Sequence, residues 1–130
     1  MPLFGKRSRQ ERDSCDMDLQ EILNEAIKHI DFSVVHGHRD MEQQNTAFNE
    51  GRSRNRWPTS KHNSAPSFAF DIVPYPGGYQ ASYEKFYEMA TYILQSASYI
   101  GIPLIWGGHW KNYTGRGPDD RDWSHFEKVT

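Results

Sequence analysis

At 130 residues the chain is sized for one domain with one hydrophobic core. Its 36% hydrophobic content includes 14% aromatic residues, which supply burial that a modest aliphatic content does not. A net charge of -2 argues against a dedicated nucleic-acid binder, and a single cysteine, Cys15, excludes an intrachain disulfide.

Residues 1–16 are polar and are expected to form a loosely attached arm. Basic residues there are not followed by an apolar run, so a secretory signal is not expected. No segment approaches the roughly 18 apolar residues that span a bilayer, so stable membrane insertion is not expected either. Cys15 is read as a small apolar residue near the start of the fold rather than a nucleophile. From Met17 to Ile27, the residues Leu19, Ile22, Leu23, Ala26 and Ile27 fall on one helical stripe, with Asp16 or Asp18 as the cap. Phe32 to Val35 reads as a short buried strand running into His36-Gly37-His38-Arg39. Asp40 starts a second helix through Met41, Ala47 and Phe48, which Gly51 ends.

Residues 52–67 are a loop by composition. Phe68 to Val73 is a strand stopped by Pro74 and Pro76, and Pro76-Gly77-Gly78 is a turn. Residues 82–99 predict the longest helix, with Phe86, Met89, Ala90, Ile93 and Leu94 facing inward. Ile102 to Trp106 is a strand, either at an edge or starting after Pro103. Residues 109–121 form a polar loop, and Trp123 to Val129 a last strand. Helices and strands mix without a βαβ rhythm. The expectation is a single α+β domain over 1–130, with a small antiparallel sheet, helices packed around it and a metal site in a cleft.

Three residues suggest chemistry. Asp71 lies inside Phe70-Asp71-Ile72, where burial is expected, and a buried carboxylate must be paired or bound to a metal. A salt bridge to a nearby arginine answers the first requirement. Two histidines, His62 in the loop and His125 in the last strand, answer the second. Two histidines and a carboxylate suit catalytic zinc, which keeps one position open for water. Asp122, three residues before His125, is then the natural general base. Taken alone, a histidine at 125 is more often a satisfied core residue.

The order of motifs adds to this. Ser60-Lys61-His62 with Ala69-Phe70-Asp71 resembles the S-x-H…A-x-D pattern of the zinc D-alanyl-D-alanine carboxypeptidase family. Trp106-Gly107-Gly108-His109-Trp110 and Asp122-Trp123-Ser124-His125 are similar to two further segments of that family. The likeness is strongest to its phage L-alanyl-D-glutamate endopeptidase endolysins, and runs from Phe4-Gly5-Lys6-Arg7-Ser8 to Phe126-Glu127. It implies one zinc on His62, Asp71 and His125, and Asp122 as base. Arg39 would polarise the scissile carbonyl, and Ser60 and His109 would lie on the substrate side. At 109 relatives usually carry aspartate.

The implied activity is hydrolysis of the L-alanyl-D-glutamate bond in bacterial peptidoglycan stem peptides. The implied protein is a monomer made in the host cytoplasm, which acts on the wall after release. Two rivals stand beside this reading: a D,D-carboxypeptidase releasing terminal D-alanine, and a non-catalytic zinc module that binds wall peptides. Other features take plainer readings. His36 and His38 form a polar rim rather than a second metal site. Arg52, Arg54 and Arg56 form a solvated loop, or one facing the acidic polymers of the wall. Trp106 and Trp110 are core and cleft wall. Asp119, Asp120 and Asp122 offer either calcium ligands or a flexible acidic loop, without the EF-hand pattern.

Overall fold

The structure, a computed structural model, describes residues 2–109 and 122–129. Its described helices are α1 (Lys6–Asp13), α2 (Met17–Ala26), α3 (Met41–Asn49) and α4 (Tyr83–Ile100). Its strands are β1 (Phe32–His36), β2 (Ala69–Pro74), β3 (Leu104–Trp106) and β4 (His125–Lys128). All strand pairs are antiparallel, in the order β1-β2-β4-β3. The α+β architecture expected from the sequence is the one observed.

Helix α2 begins where Asp16 accepts the Leu19 N–H, and α4 where Ser82 accepts that of Lys85. Their buried stripes are Leu19, Ile22, Leu23 and Ala26 on α2, and Phe86, Met89, Ala90, Ile93 and Ala97 on α4. They share one core with Phe70, Ile72, Trp106 and Phe126 of the sheet. Strand β2 is buried at every position from Ala69 to Pro74. It is therefore a central strand covered on both faces, which explains its unbroken apolar run around Asp71. Strand β3 starts after Pro103 and forms the edge. Strand β4 starts two residues later than expected, because Trp123 and Ser124 are spent on a turn.

Residues 2–16 depart from the loose arm. Lys6–Asp13 is a helix held by polar contacts rather than by an apolar stripe. The Ser8 hydroxyl, buried, accepts the Val34 N–H of β1 at 3.0 Å. The Phe4 and Phe32 rings meet edge-on at 5.4 Å. Cys15 is buried beneath this corner, and burial pushes its thiol up to about 12, so it is an inert core residue. Among the described residues no helix is long and apolar enough to cross a membrane.

Ser8→Ala removes the partner of a buried N–H and should cost about 1–2 kcal/mol. The measurement is a lower urea midpoint at unchanged slope. An unmoved midpoint would return residues 2–16 to the status of an arm.

Candidate metal centre

Sheet register builds this site. Asp71 on β2 faces His125 on β4 and His36 at the end of β1. A bulge between Val34 and His36 re-aims the end of β1 towards Asp71. His62 comes from a different element, the 3₁₀ turn Lys61–Asn63. Ser60 caps that turn by accepting the His62 N–H, and Asn63 closes the capping box. The Ser60 hydroxyl is thus engaged in shaping the turn that carries His62, and the residue also lines the cleft.

Three donor atoms converge. His62 Nε2 lies 3.3 Å from His125 Nδ1 and 3.4 Å from Asp71 Oδ1. His125 Nδ1 lies 3.3 Å from the same carboxylate oxygen. The ligands of a tetrahedral zinc, at about 2.0–2.1 Å from the ion, sit about 3.3–3.4 Å apart. The triangle has that edge on all three sides. All three side chains are buried, with His62 only 1% and Asp71 4% exposed. Among the described residues this is the one His/Cys/Asp/Glu group with donor atoms so placed.

Each donor is also held from behind. His62 Nδ1 lies 2.7 Å from the Gly37 carbonyl, an arrangement in which Nδ1–H donates and Nε2, once its own proton is lost, offers a lone pair to a metal. His125 Nε2 lies 2.9 Å from Glu127, which in turn pairs with Lys61 at 3.1 Å. Asp71 divides its oxygens: Oδ1 belongs to the triangle, while Oδ2 accepts Arg39 Nη2 at 2.8 Å and lies 3.5 Å from His36. The metal and salt-bridge readings of Asp71 are therefore compatible. Buried Gln44 fixes Arg39 from the other side, accepting Nη1 at 3.3 Å.

Two glycines make room for this arrangement. A Cβ on Gly37 would lie 2.3 Å from both the Glu11 carbonyl and Ser14 Oγ. A Cβ on Gly107 would lie 2.3 Å from the Asp122 carbonyl. The first glycine lets α1 pack against the loop that orients His62. Glu11 accepts the Gly37 N–H at 3.0 Å and Ser14 that of His38 at 2.9 Å. The second glycine sets the backbone of Asp122.

Asp122 lines the same cleft as His62, His125 and Arg39. Burial and the charge of Asp71 raise its pKa, while Ser124 donates to it at 3.1 Å. For Asp71 burial also disfavours the charged form, but the charge of His62 and hydrogen bonds from His125, His36 and His62 hold the carboxyl well below the usual range. Two interacting carboxylates are thus driven in opposite directions.

His109 is placed elsewhere. Its ring packs on Trp106 at 4.9 Å, in a second groove with Tyr87 and Leu94. His36 and His38 part company, His38 turning to the Ser64 carbonyl at 2.9 Å. Trp110 and the proposed calcium ligands Asp119 and Asp120 lie outside the described residues. Glu127 had no role in the sequence reading. Its signal was available, since residues two apart on a strand share a face, which puts Glu127 beside His125.

Helices around one antiparallel sheet, with a buried His-Asp-His triangle at its centre, define a small α+β domain with a metal-ligating cluster. The family described as phage L-alanyl-D-glutamate peptidase matches residues 2–129, and the chain belongs to that family. Among solved structures it is similar to the Serratia marcescens L-Ala D-Glu endopeptidase ChiX. The identity is 26%, the TM-score 0.78, and the match covers 97% of this chain and 89% of that one. No curated protein matches the chain.

Metal and proton should compete here. Burial works against a charged His125, but hydrogen bonds to Asp71 and Glu127 outweigh it and raise its pKa from 6.5 to about 10. In the metal-free protein that contribution to stability is complete below 6.5 and is lost as pH rises through about 10. Asp71, depressed on folding, has the opposite sign: its contribution is present above 3.8 and is lost as pH falls through its lower folded value. Metal-free stability should therefore decline from near neutrality towards pH 10. Affinity for a divalent metal added to this cluster should rise roughly tenfold per pH unit in the same window as the His125 proton is displaced. Calorimetry in buffers of different ionisation enthalpy measures that proton, and a pH-independent affinity would contradict the prediction.

Proposed function

We propose that the chain is a zinc-dependent endopeptidase that hydrolyses the L-alanyl-D-glutamate bond of bacterial peptidoglycan stem peptides. One zinc would be held by His62, Asp71 and His125. The observation that carries this reading is the donor triangle of tetrahedral edge length in a chain of the phage L-alanyl-D-glutamate peptidase family. The reading extends to a monomer made in the host bacterium and acting on the wall after release.

When bound, zinc supplies a Lewis acid for the carbonyl and lowers the pKa of a coordinated water towards about 7. The protein's own groups do the remainder. Asp122, partly buried and raised in pKa, accepts the proton of the attacking water and returns it to the leaving amine. Arg39 fixes the outer oxygen of Asp71, and further N–H groups of its guanidinium serve the developing oxyanion in the cleft it lines. Glu127 and the Gly37 carbonyl hold the two imidazoles in the orientation in which they coordinate. Ser60 contributes through the turn it caps, and a substrate contact at Ser60 is part of this proposal. A substrate contact at His109 would have to reach the second groove.

Mass spectrometry of peptidoglycan fragments incubated with zinc-loaded protein identifies the bond. Release of the stem with L-alanine left on the glycan side is expected. Free D-alanine would point to a carboxypeptidase, and no product to a binding module. A second test separates base from ligand. Asp122→Asn should keep zinc at full stoichiometry and lose roughly 10²-fold or more in kcat. His125→Ala should lose zinc affinity itself. Full turnover by Asp122→Asn would move the base elsewhere.

A further inference from the structure

The metal cleft has a neighbour. Arg39 and Arg52 stand in the walls of two adjoining hollows, one containing His62, Asp122 and His125, the other His36, Glu42, Gln43 and Thr46. The bond assigned above has glutamate on its amine side. A glutamyl residue uses at most one carboxyl to continue a chain, so at least one carboxylate stays free within a few bonds of the scissile amide. The cleft is lined by the acids Asp122 and Glu127, and that anion is therefore best placed where a cation not already engaged by them faces it.

Apart from the histidines, three described side chains with a permanent positive charge line the cleft, and two are committed. Arg39 is bound to buried Asp71 and Gln44. Lys61 is bound to Glu127 and to the Lys128 carbonyl at 2.7 Å. Arg52 differs. Its partner is Glu50, two residues away, at 2.7 Å, and both side chains are more than half exposed. Such a surface pair is worth little and exchanges readily for a better-placed carboxylate. A planar guanidinium is suited to grip a carboxylate with two N–H groups.

We propose that the hollow beside the metal triangle is a carboxylate subsite for the glutamyl residue on the amine side of the cut bond, with Arg52 as its anchoring cation. Glu42 in the same wall repels a carboxylate placed away from Arg52, and Glu50 yields its place on Arg52 to the substrate. Substrates whose glutamyl carboxyl is converted to the amide are thereby disfavoured. The inference rests on the endopeptidase reading.

The test uses two synthetic peptides, one with L-alanyl-D-glutamyl and one with the same residue carrying its free carboxyl as the amide. For zinc-loaded wild type, kcat/KM for the acid should exceed that for the amide by roughly tenfold or more. Arg52→Gln should bring the ratio near one, and Arg52→Lys should restore part of it. Lys28→Gln, far along the chain on an exposed pair, should leave the ratio as it is. Calorimetric binding of the two amine-side products, acid and amide, provides a readout without turnover and should show the same collapse in Arg52→Gln. Equal cleavage of both peptides by wild type overturns the subsite while leaving the endopeptidase reading intact. A wild-type ratio in Arg52→Gln removes Arg52 from the role. Failure to cut either peptide while D-alanine is released from wall fragments overturns both readings.

Discussion

An ionised carboxylate in the central strand of a sheet is costly unless several partners share its charge. Asp71 is that carboxylate, 4% exposed, and much of the surrounding structure compensates it. Arg39 approaches from the loop after β1, His36 from the bulge in β1, His125 from β4 and His62 from the turn before β2. Three stretches distant in sequence, residues 36–39, His62 and His125, are thus fixed to one side chain. The metal triangle follows from this arrangement, because the partners that neutralise Oδ1 are two imidazoles at zinc-ligand spacing.

The division of Asp71 into an inner and an outer oxygen has a chemical consequence. Arg39 satisfies the outer oxygen, so the inner one presents a single directed donor. A metal held through that one oxygen and the two imidazoles would keep a position open for water. The same economy applies to the imidazoles, each with its far nitrogen engaged, one on the Gly37 carbonyl and one on Glu127. Cleft electrostatics then separate the two acids: Asp71 is surrounded by positive partners, whereas Asp122 meets burial and the negative charge of Asp71.

Much of this was legible in the sequence where the signal was apolar and periodic. The stripes of α2 and α4 and the unbroken run around Asp71 gave correct elements because burial of apolar faces dominates their energetics. Helix α1 was not legible. The segment KRSRQERD has no apolar face, and its hold on β1 comes from Ser8, Glu11 and Ser14, residues that sequence alone assigns to solvent. The donor set of the site could be named from motif order. Its supports could not, because Gly37 acts through a backbone carbonyl and Gln44 through a buried amide, neither of which leaves a residue-type signature. For His109 the motif implied the substrate side but not a direction, and the 3₁₀ turn Gly107–His109 packs its ring on Trp106 in the other groove.

The N-terminal segment therefore belongs to the chemistry as well as to the fold. Glu11 and Ser14 bind the backbone on either side of the Gly37 carbonyl, and that carbonyl selects the His62 tautomer with Nε2 free. A side chain at position 37 would drive α1 away and release both contacts. The imidazole would keep its place through the Ser60 turn but lose its fixed orientation. A ligand misdirected by a few tenths of an ångström forfeits affinity without any change in the residues that touch the metal. The polar surface of α1 thus serves a purpose that hydrophobic periodicity could not encode. It fixes a backbone carbonyl, the carbonyl fixes a ring, and the ring completes the triangle that Asp71 began.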